Sequence, residues 1–259
     1  MTDHAELATI AVDGPVATLT INRPEQRNAM SLELLEALHG AVDGIAERPE
    51  LSTLVLTGAG RAFCAGMDLK QVIIDADAGG SGDPELPYRV LSTLAELTLK
   101  IRALRCVTLA RINGAAIGGG CGLACVCDIA ITHAGAKLGF PEVDLGLCPA
   151  VIAPWVVRKM GAGPARAAML MGGVMTGEEA QARGVVDIVA SDDAFDDACD
   201  DVVTRLAKGG PKAIAATKSL LNELDGSAPE CDHVRSGARL SADVVATPEA
   251  QANLIARLR

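Results

Sequence analysis

A chain of 259 residues, 49% of them apolar, is long enough for one large domain with a substantial core. A net charge of −10 argues against nucleic acid or an anionic membrane surface as a partner. Eight cysteines (Cys64, Cys106, Cys121, Cys125, Cys127, Cys148, Cys199 and Cys231) stand mostly in apolar runs at spacings that fit no zinc site. The N-terminal residues show no basic, apolar leader, and no stretch reaches the roughly 18–20 apolar residues of a membrane span. A reduced, cytoplasmic protein is expected.

In chain order, 7–12 and 16–21 read as a β-hairpin around Asp13-Gly14-Pro15. Asn22-Arg23-Pro24 breaks the strand, and Ser31 can cap a helix whose apolar face is Leu34, Leu35, Leu38, Val42 and Ile45. Residues 53–57 read as a buried strand, and Asp68 opens a helix running to about Asp77. Residues 75–87, acidic and rich in Gly with two prolines, read either as a loop gating a site or as a plain surface linker. An amphipathic helix over 89–105 precedes a β-branched strand over 107–112 and the Asn113-Gly114 turn. Lys137 to Phe140 is extended. From Pro149 onward helices dominate, at about 149–160, 163–172, 176–183, 192–207, 211–224, 229–245 and 247–258, interrupted by a short strand around 185–189. Strand-rich first and helix-rich second predicts a layered α/β core carrying a C-terminal helical region.

Two places share one local grammar: AGMDL at 65–69 and GGG at 118–120 each follow an apolar strand, use small residues and open a helix. Glycine lets backbone N–H groups approach a ligand closely, and at a helix N-terminus those groups lack partners. Taken alone, such a place suits a phosphate, a carboxylate or the oxyanion of a thioester. Two N–H groups, one from each, could meet on a single oxygen.

Six segments in order, NRPEQRNAM, LVLTGAGRAFCAGMDLK, INGAAIGGGCGLACVCDIAIT, KLGFPEVDLGLCPA, TGEEAQARGVVDIV and GPKAIAATKSLL, resemble the crotonase, or enoyl-CoA hydratase/isomerase, superfamily over nearly the whole chain. The resemblance implies a spiral of ββα units over 1–195 and a helical oligomerisation region over 196–259, assembled as a homotrimer or dimer of trimers. It also implies an acyl-CoA substrate, no metal and no cofactor beyond the coenzyme A of the substrate itself. Met67 and Gly119 match the positions of the oxyanion N–H donors, Arg27 a basic residue near the ribose phosphate, and Ala65 the backbone beside the adenine. Asp68, Gly118 and Gly122 complete the set along the thioester and coenzyme.

Family hydratases of the two-acid type carry one Glu after the glycine run and another in a Pro-Glu segment. Here the second matches Glu142 and the first matches Gly122, so a two-acid mechanism has lost one partner. Glu142 stands in apolar sequence, which raises a carboxyl pKa and suits a group that both takes and gives protons. Asp144 is a possible helper if the segment is extended; Asp128 is expected to pin its own turn. The nearest subset in look is the single-acid, methylglutaconyl-CoA hydratase-like members, so enoyl-CoA hydration ranks first and Δ3,Δ2-enoyl-CoA isomerisation by Glu142 second. An acyl-CoA binder without turnover is the reading of another class. A Rossmann module is excluded, because no GxGxxG follows the first strand.

Overall fold

The computed structural model describes residues 7–226 and 232–258. The hairpin forms as β1 (Ala8–Asp13) and β2 (Val16–Ile21), antiparallel with Asp13 opposite Val16. Helix α1 (Leu32–Ala46) starts where Ser31 Oγ accepts the Leu34 N–H at 3.3 Å, and it buries Leu34, Leu35, Leu38, Val42 and Ile45. Then follow β3 (Thr53–Gly58), β4 (Ala62–Cys64), α2 (Leu69–Val72), α3 (Leu86–Ala103), β5 (Val107–Ile112), β6 (Ala115–Ile117), α4 (Gly119–Val126), β7 (Ile129–His133) and β8 (Lys137–Gly139). The second half holds α5 (Ala153–Met160), α6 (Ala162–Met171), β9 (Val174–Thr176), α7 (Gly177–Ala182), β10 (Ile188–Ala190), α8 (Phe195–Ala207), α9 (Pro211–Leu224), α10 (Asp232–Val245) and α11 (Pro248–Leu258).

The strands form two sheets, ordered β1-β2-β3-β5-β7-β10 and β4-β6-β8-β9. Each of β3, β5 and β7 is followed at once by a short strand of the second sheet, which is the ββα spiral. From β2 to β10 the first sheet is parallel, and β3 is buried along its whole length. Alternation then assigns neighbours to opposite faces: Leu54, Leu56 and Ala110 enter the main core, while Val55, Leu109 and Ile131 meet Phe195 and Cys199 of α8.

Two differences from the sequence reading have physical causes. Helix α2 stops at Val72 rather than near Asp77, because Ile73 is extended and the chain doubles back, with the Ser81 and Gly82 N–H groups donating to the Ile73 and Ile74 carbonyls. The late strand falls at Ile188–Ala190, where it pairs with β7. Of the predicted helix over 229–245, residues 229–231 lie outside the described residues, as does Cys231.

Asp128 pins its turn and does more. Its Oδ2 accepts from Thr108 N at 2.8 Å and Thr108 Oγ1 at 2.9 Å, and it pairs with the buried Lys218 of α9 at 2.7 Å. Arg102 of α3 approaches its other oxygen at 3.2 Å. His133 and His39, for which the sequence offers no partner, meet Asp192 and the Thr93 carbonyl.

Helix α4 lies directly on β4. A Cβ on Gly120 would overlap the Cys64 carbonyl oxygen and sit 2.8 Å from Cys64 Cβ. Gly120→Ala is therefore expected to lower the unfolding free energy by roughly 3 kcal/mol, read from urea denaturation. An unchanged midpoint would mean that α4 and β4 separate without penalty.

Candidate active site

The first glycine segment is held on both sides of Met67. Met30 N–H donates to the Gly66 carbonyl at 2.7 Å and Asp68 N–H to the Met30 carbonyl at 2.9 Å, which leaves the Met67 N–H outside this bridge. Ala65 N–H donates to the Arg27 carbonyl at 3.0 Å. The loop carrying Arg27 is fixed by Asn28, a residue the sequence reading did not single out. Asn28 is fully buried at φ 59°, and its side chain donates to the Ala59 and Ala62 carbonyls and accepts from Arg23 N–H.

The second segment turns from β6 into α4 at Gly118, whose φ of 55° and ψ of −123° need glycine. Its own N–H is taken by the Gly139 carbonyl at 2.8 Å. Gly119 is the first residue of α4, so its N–H has no partner one turn back. The two segments are close: a Cβ built on Gly66 would lie 3.9 Å from Gly119 N.

Glu142 follows β8, and its carbonyl accepts from the Leu145 and Leu147 N–H groups, which closes a tight turn behind it. Its side chain leans over Gly118, where an added Cβ would sit 2.8 Å from Oε1. Oε2 is buried and has no hydrogen-bond partner. Burial, with the Asp144 charge adding to it and the backbone N–H opposing, raises the carboxyl pKa to about 7. Ala65, Met67, Gly118, Gly119 and Glu142 all line one cavity of about 120 Å³, otherwise walled mainly by Leu, Val and Ile and with no Arg, Lys or His on its lining.

The remaining predicted residues lie elsewhere. Asp68 caps α2 through Lys70 N–H and pairs with Arg23 at 2.7 Å, off the cavity lining. Arg27 is exposed and left-handed at φ 51°. Asp144 turns to the Gly173 N–H at 2.8 Å and fixes the turn before β9. Gly122 is buried one turn into α4 and is covered by Ile152: an added Cβ would overlap Ile152 Cγ2 and sit 2.7 Å from its Cβ. Ile152 lines the cavity in its place. No sequence signal pointed to it, since the contact joins α4 to the start of α5 through space. Among the described residues no three acidic, Cys or His side chains converge as a metal site.

The enoyl-CoA hydratase/isomerase family profile matches residues 12–252. An enoyl-CoA hydratase of Alternaria alternata is 33% identical over 229 residues, 88% of this chain and 73% of that protein. The 2,3-dehydroadipyl-CoA hydratase of Escherichia coli is 30% identical over 209 residues, 80% of this chain and 78% of its own. The solved structure of an enoyl-CoA hydratase from Mycobacterium avium superposes with a TM-score of 0.84 at 29% identity, covering 97% of this chain and 96% of that one. The α/β spiral and the matched segments have one explanation: the chain belongs to the enoyl-CoA hydratase/isomerase family, with the crotonase fold.

Proposed function

We propose that this enzyme adds water to a 2-enoyl-CoA thioester, with Glu142 as its one acid–base group and the Met67 and Gly119 N–H groups holding the thioester oxygen. One observation carries the reading: Glu142 Oε2 is buried without a partner on the wall that both N–H segments share. A buried carboxylate left unpaired is costly and is kept where chemistry uses it.

The steps follow from these groups. The Glu142 carboxylate takes a proton from water as the water oxygen bonds to Cβ. The displaced electron pair moves through Cα to the thioester oxygen, which two N–H groups stabilise, each worth about 3–4 kcal/mol in such sites. Protonated Glu142 then gives its proton to Cα. A pKa near 7 lets one group do both at neutral pH. Coenzyme A arrives as part of the substrate, and the sequence of steps asks for no further cofactor. The hydratase names of the two relatives support water addition.

Gly122 favours a second reading. With one carboxylate, the same base could carry a proton between C2 and C4 of a 3-enoyl-CoA. The assay separates the readings. Crotonyl-CoA is expected to lose its conjugated absorbance and gain the mass of one water. Gain of conjugation from a 3-enoyl-CoA, with crotonyl-CoA untouched, would establish isomerisation instead, and no change with either would leave a binder. The outward Leu220, Leu221 and Leu224 of α9 support an assembly through the 196–259 region, as a trimer or dimer of trimers. Buried free thiols suit a reducing, cytoplasmic setting.

A further inference from the structure

Gln251 lies on α11, off the cavity lining, yet its side chain joins two pieces of the cavity wall. Helix α2 is a single turn ending at Val72, and α10 ends at Val245; the last carbonyls of a helix have no partner within it. Gln251 Nε2 donates to the Val72 carbonyl at 3.0 Å and to the Val245 carbonyl at 2.9 Å. Its Oε1 accepts the Ile74 N–H at 2.8 Å. One planar amide thus satisfies three backbone groups, at the end of α2, just beyond it and at the end of α10, and Val72 and Val245 both line the cavity. A carboxylate in its place would lack both donors, and a thioether would lack all three bonds.

The helix that carries this amide is itself seated. Ala250 and Leu254 are fully buried, and a Cβ on Gly146 would sit 3.1 Å from Asn253 Nδ2, so α11 also abuts the turn behind Glu142. Beyond Ile74 the chain enters the acidic, mostly exposed stretch over 75–85 that leads into α3, and this stretch folds back onto the Ile73 and Ile74 carbonyls. The amide therefore grips that segment at its root.

We infer that Gln251 is a positioning residue that sets the separation of Val72 and Val245, and with it the width an acyl chain meets. The inference rests on the reading that the acyl group enters this cavity. A longer chain reaches more of that wall than a short one, so the effect of loosening it grows with chain length.

The test compares wild type with Gln251→Met, taking Arg257→Met, an exposed site on the same helix, as control. Binding of saturated butyryl-CoA and octanoyl-CoA is measured by calorimetry, which needs no turnover. In Gln251→Met, octanoyl-CoA is expected to bind at least about 10-fold more weakly and butyryl-CoA less than about 3-fold, with the control unchanged. An equal loss for both, or none, overturns the inference. Should the variant fold poorly, hydrogen exchange on the wild-type enzyme decides: octanoyl-CoA is expected to slow exchange in 72–74 and 245–251 together. Slowing in one segment alone overturns it. Failure of wild type to bind either acyl-CoA overturns this inference along with the proposed function, whereas acyl-CoA binding without water addition overturns the proposed reaction and leaves the clasp standing.

Discussion

Glu142→Gln is expected to lower kcat by roughly 10³-fold while acyl-CoA binding persists, because the amide keeps the shape of the side chain and loses its proton chemistry. Wild-type kcat/KM is expected to rise with pH through about 7, where Glu142 becomes the carboxylate that the proposed reaction requires. The same residue makes a stability prediction of known sign. Its folded pKa of about 7 stands above the ordinary 4.5, so below pH 4.5 both folded and unfolded chains hold the proton and no penalty exists. As pH rises toward 7 the unfolded chain releases the proton first, and the folded enzyme loses up to about 3 kcal/mol by pH 8. Glu142→Gln should therefore be more stable than wild type at pH 8 and equal to it at pH 4, by chemical denaturation. Retained turnover would remove Glu142 from the mechanism, and a pH-independent stability difference would remove the buried charge.

Gly122→Glu tests what the missing carboxylate means. If only an acid were lacking, adding one would raise hydration. The position has no room, since Ile152 lies where the new Cβ must go. The single variant is expected to lose at least about 3 kcal/mol, from overpacking together with a carboxylate forced into apolar surroundings, and to gain no activity. Ile152 is the N-cap of α5, a place that tolerates glycine, so Ile152→Gly removes both clashing atoms without breaking that helix. The double variant is expected to hydrate crotonyl-CoA at least about 10-fold faster than Ile152→Gly alone. A stable, faster Gly122→Glu single variant would show that Ile152 yields and that the wall is soft.

That contact marks where the sequence stopped being readable. The hairpin, α1 and strands β3 and β5 announce themselves through alternation, a Ser cap and β-branched runs, and Glu142 through its match to the family's Pro-Glu segment. Strands β4, β6 and β9 have only three residues each, too few for a period of two to register. Asp68 looks alike on paper whether it faces a ligand or Arg23, because only the fold brings Arg23 to it. Gly122 could be seen to lack an acid, but not that a hydrocarbon had taken the space. Gln251 is an ordinary polar residue in a helix until α2 and α10 end beside it.

The ion pair of Asp128 bears on how the chain comes together during synthesis. The carboxylate staples β5 to β7 early in the chain, and Arg102 of α3 is already there to meet it. Its buried partner, Lys218, belongs to α9 and leaves the ribosome much later. Until then Arg102 meets one carboxylate oxygen, and the other, which Lys218 will approach at 2.7 Å, is held by Thr108. The staple between β5 and β7 is therefore completed only by a helix made about 90 residues later, and a chain truncated before α9 is expected to show faster hydrogen exchange at Thr108 than the full chain.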